Sequence, residues 1–516
     1  MKLVAAVLYS ALFGITTTVD AQQAKYKMIT DIPTSIISPD SLTTSLGTLR
    51  FFDGFPGSAT VRKVYDNLDF QRGVQAYLIA LPVACFYGLR SDMQTFGPDN
   101  KTMLITETLM DSRSLMLPSN TETVYNMARL NATDGPLVID LPPKTLGFIQ
   151  DFCGRFVTDM GNVGPDNGNG GKYLLLPPGY SGTMPEGYFI LHSRTFGNFL
   201  FIRGFLVNGD PKPAVENTKK NFRIHPLARA ANPPPMNFVN VSGKNYNTIG
   251  SNHVSLYYLV AQVLQEEPLD AVDSETRGLL VSIGIRKGKP FEPDARMKNI
   301  LTDAAAIGNA IARTLTFSTR ERDTYYYPGS AWKAGFAGNN PEFSPGGVLD
   351  IDAKTQMFYL AWGLTPAMIR KIIGFGSQYA YAERDAGGQY LNDAKVYHLH
   401  LPQGIPVKNF WSLIIDDPQT RSMLQTDQQF PSVSSLKKGI IINPDSSVDI
   451  YFGPAAPQGK EANWIQTIPG KGWFIMLRLY GPLEPWFDKT WRPGEIELTK
   501  RNTFYLSQIK NLYENT

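Results

Sequence analysis

Apolar residues recur along this chain at two spacings, and the switches between them divide it into three parts. Over residues 66–93 the positions Phe70, Val74, Tyr77, Leu78 and Leu81 fall at helical spacing until Pro82 interrupts, which predicts a leading helix. From about residue 103 to 204 the pattern becomes short apolar runs, PLVIDLP, KYLLLPP, GYFILHS and NFLFIRGF, separated by Gly, Pro and Asp, as strands are. Residues 211–235 carry a helical piece and close on Asn-Pro-Pro-Pro, an extended linker. Helical spacing then returns at 256–265, at 297–315, where Met297, Leu301, Ala304, Ile307, Ile311 and Leu315 make one stripe, and near 365–373. After Lys395 the strands VYHLHLP, FWSLIIDD, KGIIIN, SVDIYFG and GWFIMLRLYGP follow at the spacing of a sandwich or jelly roll. The predicted class is α+β and β-rich: two β-sandwich or jelly-roll-like domains, 50–235 and 346–516, joined by a helical connector, 236–345.

Composition supports that reading. The aromatic fraction of 12%, with 37 Pro and 45 Gly among 516 residues, favours turns over long helices. A net charge of +3 with no Lys/Arg run argues against a nucleic-acid partner or a membrane-surface patch. Lys2, the apolar run from Leu3 to Ile15, and Val19 and Ala21 ahead of Gln22 read as a signal peptide, 1–21, cleaved after Ala21. No later segment offers about 18 uninterrupted apolar residues, so a mature chain without a transmembrane segment, secreted or periplasmic, is expected. The two cysteines, Cys85 and Cys153, are compatible with a disulfide or with two buried thiols. The triplets at Asn100, Asn131 and Asn240 are glycosylation acceptors only in a host that glycosylates exported proteins.

Candidate chemistry is sparse. The stretch GNVGPDNGNGGKYLLLPPGY, residues 161–180, has the glycine density of a phosphate or metal loop. Yet a P-loop would need Gly and Ser or Thr where Asp166 and Tyr173 stand, and a calcium loop would need an oxygen ligand at Gly168. A wide turn between two strands is predicted, with glycines supplying positive φ. His398 and His400 alternate on one strand and share a face, which suits a metal only if a third ligand arrives; no Glu follows in PQGIP, and hydrogen-bonding roles are the expectation. The serine contexts PGSAT, FGSQY and PGSAW all miss the Gly-x-Ser-x-Gly elbow. A carboxylate site remains open through Asp449 and Glu461, near Trp464 and Arg478, and Tyr325, Tyr326, Tyr327 and Trp332 could stack on a flat ligand. Arg478, alternating away from Ile475, Leu477 and Leu479, is expected to need a carboxylate partner, with Glu461 the candidate.

Several blocks together resemble one family. They are SNTETVYNMARL, GPLVIDLPP, GPDNGNGGKYLLLPPGYSG and SRTFGNFLFIRGF in the first half. In the second they are YHLHLPQGIPVKNFWSLIIDD, INPDSSVDIYFGP, KEANWIQTIPG and FIMLRLYGPLEPWFDKTWRPGEI. The sequence is similar to exported proteins whose halves are paired domains of unknown function, numbered twelve fifty-four in the N-terminal half and twelve fourteen in the C-terminal half. The resemblance implies two β-rich domains around a helical segment, the second like a jelly roll, with no established activity and no cofactor. It implies ligand-binding positions at Asn120, Thr123, Tyr125, His400, Trp411, Glu461, Asn463, Trp464 and Arg478. Glu122 stands where the family often has Asp, and His398 is not a typical family position. Two readings follow: a protein that binds a small molecule or glycan in an aromatic-lined cleft between the β domains, or an extracellular hydrolase using a carboxylate-centred site at Glu461.

Overall fold

A computed structural model describes residues 28–392 and 395–499; the predicted signal peptide, 1–21, lies outside the described residues. The chain divides into two compact units, one ending at Asp66 and the other beginning at Asn67. The described part of the first is an antiparallel sheet of Ser41–Thr44, Gly47–Phe52 and Phe55–Pro56, in which the Thr60 hydroxyl brackets Arg50 by accepting from its N–H and donating to its carbonyl.

The second unit contains two sandwiches. In the first, a six-stranded sheet ordered Asn237–Asn240, Thr102–Ile105, Thr123–Asn131, Gly197–Phe205, Thr145–Asp151, Phe156–Gly161 faces a four-stranded sheet of Phe189–His192, Gly171–Leu176, Leu137–Leu141 and Arg223–Pro226. Their shared core includes Val124, Leu130, Ile139, Leu175, Leu200 and Ile202. In the second, a five-stranded sheet ordered Lys333–Ala334, Ser377–Ala382, Phe474–Pro482, Val407–Asp416, Ser432–Ser434 faces a sheet of Trp464–Gln466, Val448–Gly453, Tyr397–Leu401 and Ile496–Leu498. Trp332, Leu399, Leu413, Ile450 and Leu477 lie between them. The α+β, β-rich class expected from the spacing is the one observed.

What the sandwiches leave over forms a further core. The outer faces of the six- and five-stranded sheets contribute Met127, Phe148 and Phe201 on one side and Tyr381, Ile414 and Met476 on the other, together with the long helix Ser58–Phe96 and the helices Ser255–Glu266, Ala295–Phe317 and Ile351–Leu360. Strands Thr123–Asn131 and Phe474–Pro482 are therefore buried on both faces.

Several expectations need correction. The leading helix does not stop at Pro82 but starts at Ser58 and runs through it to Phe96. Its apolar positions on either side of the proline, Tyr77, Leu81, Cys85 and Leu89, are all buried, and that packing outweighs one missing hydrogen bond. This helix is long and apolar enough to cross a membrane by length and composition, but over half of its most apolar stretch is buried inside the protein. The helix expected at 365–373 is a single turn, Pro366–Ile369, while Ile351–Leu360 forms a helix that the spacing did not reveal. Tyr326 and Trp332 pack in the C-terminal core. The cysteines are free thiols, Cys85 donating to the Phe358 carbonyl.

The glycine-rich stretch is the predicted turn. It links Phe156–Gly161 to Gly171–Leu176, with Gly161, Gly168 and Gly170 at φ near +77°. Its organising group is Asp166, whose carboxylate accepts from the Gly161 and Gly170 amides and from the Tyr173 hydroxyl.

Candidate ligand site between the two sandwiches

Tyr125 and Arg203 are register partners on neighbouring strands of the six-stranded sheet, so both project from the same outer face. On the five-stranded sheet, Tyr379 and Arg478 are partners in the same way, with Tyr480 two residues further along. The two faces meet through these side chains. Arg203 Nη1 donates to the Tyr379 hydroxyl at 3.3 Å, and its guanidinium lies 5.7 Å from the Tyr125 ring centroid and 5.8 Å from that of Tyr480. Asn120, in the turn before Thr123–Asn131, donates to the Tyr480 hydroxyl, and Arg478 Nη1 donates to the Ser119 carbonyl. Phe410 stacks on Tyr480 at 4.2 Å.

The charge balance here is unusual. Both guanidinium groups are buried, and among the described residues neither has a carboxylate within ion-pair distance; Arg203 Nε and Arg478 Nε and Nη2 have no hydrogen-bond partner. A buried charge without a partner costs several kcal/mol, roughly 3–5 where one member of a pair is missing. The surrounding phenols respond. Burial would raise the Tyr379 hydroxyl, but Arg203, the Ser377 hydrogen bond and Arg478 outweigh it and hold Tyr379 below the ordinary phenol range. Tyr125 goes up because burial exceeds the pull of the same two arginines.

Arg203, Tyr125 and Tyr379 line a cavity of about 40 Å³ whose other walls include Phe148, Phe336 and Trp362. Trp362 Nε1 is buried there without an acceptor. The cavity thus sets the Arg203 guanidinium in an aromatic surround.

Of the residues implied by the family resemblance, the structure brings Asn120, Tyr125 and Arg478 to this place, and Thr123 is buried on the same strand as Tyr125. The others lie apart from it. Trp411 is in the C-terminal core. Asn463 clamps a loop to a strand, accepting from the Ile441 amide and donating to the Ile441 and Asp449 carbonyls, each at 2.8 Å. Trp464 donates to the Gly453 carbonyl. His400 and His398 share a face, as expected, and both bond Asp449 Oδ1, at 2.8 and 2.9 Å, while Asn443 donates to Oδ2. Burial opposes that carboxylate's ionisation, but the bonds from His400, Asn443 and His398 prevail and hold Asp449 at about 2. Among the described residues no group of three or more His, Cys, Asp or Glu is placed to hold a metal ion.

The expected Glu461–Arg478 pair is not formed. Glu461 is in open solvent, accepting from the Gly459 amide at 3.0 Å, whereas Arg478 is 1% exposed. Proximity along the chain pointed to Glu461, but the strand carrying Arg478 turns that side chain toward the other sandwich. Arg203, Tyr379 and Tyr480 were not singled out from the sequence. A signal existed for Arg203: in NFLFIRGF it continues the alternation of Phe199 and Phe201, a charge set in an apolar row.

Residues 100–226 match the model of a protein of unknown function, DUF1254, and residues 376–484 match that of another, DUF1214. The chain carries both of the paired domains of unknown function. The VPA0106 protein of Vibrio parahaemolyticus is similar in structure at a TM-score of 0.52 and 17% identity, over 84% of this chain and all of its own. A putative uncharacterized protein from Burkholderia cenocepacia aligns at a TM-score of 0.39 and 12% identity, over 86% of this chain and 97% of its own. The first of these likenesses concerns the fold. No curated protein matches the sequence.

Proposed function

We propose that the protein binds a small organic anion, a carboxylate with a short apolar body, in the cavity between the sandwiches. The observation that carries this reading is Arg203: buried, without a carboxylate partner among the described residues, and lining an aromatic cavity. A carboxylate would accept from the Arg203 guanidinium and neutralise it, while the rings of Phe148, Phe336 and Trp362 would enclose its apolar part. At roughly 10–15 Å³ for each water, the cavity has room for about three waters or the head of a small acid. The residues at Glu461 offer no comparable convergence, so binding is favoured over hydrolysis there.

The test is thermal denaturation and calorimetry of the full chain against acetate, propionate and their neutral amides. The acids should raise the melting temperature and the amides should not, since a ligand that binds only the folded state stabilises it. Arg203→Met should abolish the acid response and keep the fold, because an apolar replacement of a buried unpaired charge is neutral or stabilising. Equal responses to acids and amides, or a full acid response in the variant, would sink the reading. That this binding takes place outside the cytoplasm is supported by the leader pattern of residues 1–21, and N-terminal sequencing of the mature protein should find Gln22 first.

A further inference from the structure

A second cavity, of about 430 Å³, opens where the long helix passes the segment that leads into the helix Ser255–Glu266, and its lining includes Gly88, Ser91, Asp92, Ser251, Asn252 and Arg421. Its size falls within the range of small-molecule sites, roughly 300–1,000 Å³. Glycines let the two segments meet: a Cβ on Gly88 would lie 3.0 Å from the Ile249 carbonyl, and one on Gly250 would lie 2.6 Å from the Ala84 carbonyl oxygen. Arg421 is 3% exposed, holds a left-handed φ of 64°, and has no carboxylate within ion-pair distance among the described residues. Its Nε donates to the Tyr359 carbonyl at 3.1 Å and its Nη1 to the Gln419 carbonyl at 2.9 Å. Nη2 has no acceptor among the described residues and, unlike Arg203 Nε and Arg478 Nη2, is not sealed from the surface. The guanidinium and the Gly250 segment flank one thiol: burial pushes Cys85 up to about 11, opposed by Arg421 and by a bond from the Gly250 backbone. Beyond Gly250, the helix opens at Val254 without a side-chain cap, and among the described residues neither the half-buried Asn252 side-chain amide nor the Ser251 and Asn252 backbone amides have an acceptor. One turn past Gly88 on the long helix, about 6 Å along it, Asp92 accepts from the Asn247 amide through Oδ2 and leaves Oδ1 without a donor among the described residues. The cavity is thus cationic at one end and anionic at the other.

We propose that this cavity binds a small hydroxylated phosphate monoester, its phosphate held by Arg421, the Asn252 side chain and the amides ahead of the helix, and a hydroxyl of its organic part donating to Asp92. A guanidinium beside the uncapped start of a helix is the arrangement that recognises phosphate oxygens, through charge-assisted hydrogen bonds and the positive end of the helix dipole. Several donors converge there, and a phosphate has three terminal oxygens with which to accept from them where a carboxylate has two. Asp92 repels a second anionic group at the far end and accepts from a hydroxyl instead. The site is separate from the inter-sandwich cavity and shares no lining residue with it.

Calorimetry and phosphorus NMR on the full chain at fixed ionic strength, with glycerol 3-phosphate, glucose 6-phosphate, inorganic phosphate and glucose, test it. At least one ester should bind with a Kd of about 1 mM or tighter, inorganic phosphate should bind more weakly, and glucose should not bind. Ser91→Glu, at an exposed position in the cavity wall, should weaken that ester about tenfold or more by setting a like charge beside it. Arg421→Met should do the same where it folds. If it unfolds by leaving the Tyr359 and Gln419 carbonyls without their donor, Ser91→Glu decides alone. No binding by either ester, inorganic phosphate or glucose binding as tightly as the esters, or undiminished ester binding in Ser91→Glu overturns the proposal.

Discussion

Single residues show how far this interior departs from an apolar one. Asp416 is fully buried on the strand Val407–Asp416, and both of its carboxylate oxygens lack partners. Burial pushes its carboxyl up to about 7, with Arg478 pulling the other way. The folded-state value lies above the unfolded one, near 3.9, so between about pH 4 and pH 7 the folded chain keeps a proton that the unfolded chain releases. Stability therefore falls across that window, and the loss is complete above pH 7. Asp416→Asn, which cannot ionise, should match the parent at pH 4 and exceed it by a few kcal/mol at pH 8, at roughly 1.4 kcal/mol for each pKa unit. Urea denaturation at pH 4, 6 and 8 reads this directly, and a difference that stays constant across the three would contradict it. The sequence showed Asp416 only as the end of an apolar strand; that its surroundings supply no hydrogen bond depends on which segments pack there.

At the scale of elements, the helix Ala295–Phe317 explains why a correct helix can carry a misjudged face. The expected stripe followed the large residues, but Ile307 is 46% exposed, and the buried row is Leu301, Ala304, Ala305, Gly308, Ala312 and Thr316. Small residues are chosen because the helix Ser58–Phe96 comes close. A Cβ on Gly308 would lie 2.5 Å from Tyr77 Cδ1, and one on Gly73 would lie 2.8 Å from Ala304 Cβ. Periodicity reports which residues dislike water, whereas a close helix crossing selects those that leave room, and the two stripes need not coincide. Gly308→Ala separates the effects. Helix propensity favours alanine by about 1 kcal/mol, while overpacking a tight core contact costs about 1–3 kcal/mol. The net change should be destabilising, seen as a lower urea midpoint with an unchanged slope. A gain in stability would show that the two helices can part without penalty.

Across the whole molecule, what was legible was the strand content, the turn at Asp166, the shared face of His398 and His400, and the two paired domains. What was not legible was the pairing of one sandwich's outer face with the other's, because such contacts join residues such as Arg203 and Tyr379 that lie 176 positions apart. The candidate site is made of that pairing: Tyr125 and Arg203 come from one half, and Tyr379, Arg478 and Tyr480 from the other. The same geometry bears on whether the halves can stand alone. Each sandwich has its own core, yet the strands Thr123–Asn131 and Phe474–Pro482 bury both faces, the second of them in the layer that also holds Met127, Phe148, Phe201, Tyr381 and Ile414. Removing one half would expose a contiguous apolar sheet face with one of these strands uncovered at its centre, a surface larger than soluble monomers tolerate. Residues 28–319 and 320–499 expressed separately should each be aggregated or loosely packed, binding a hydrophobic dye and lacking sharp near-ultraviolet dichroism. Mixing them during refolding should restore a soluble complex that recovers the carboxylate response attributed to Arg203. If either half alone is monomeric, cooperative in unfolding and free of dye binding, then the layer between the sandwiches is not needed for folding, and the site would have to be explained as an interface between two independent domains.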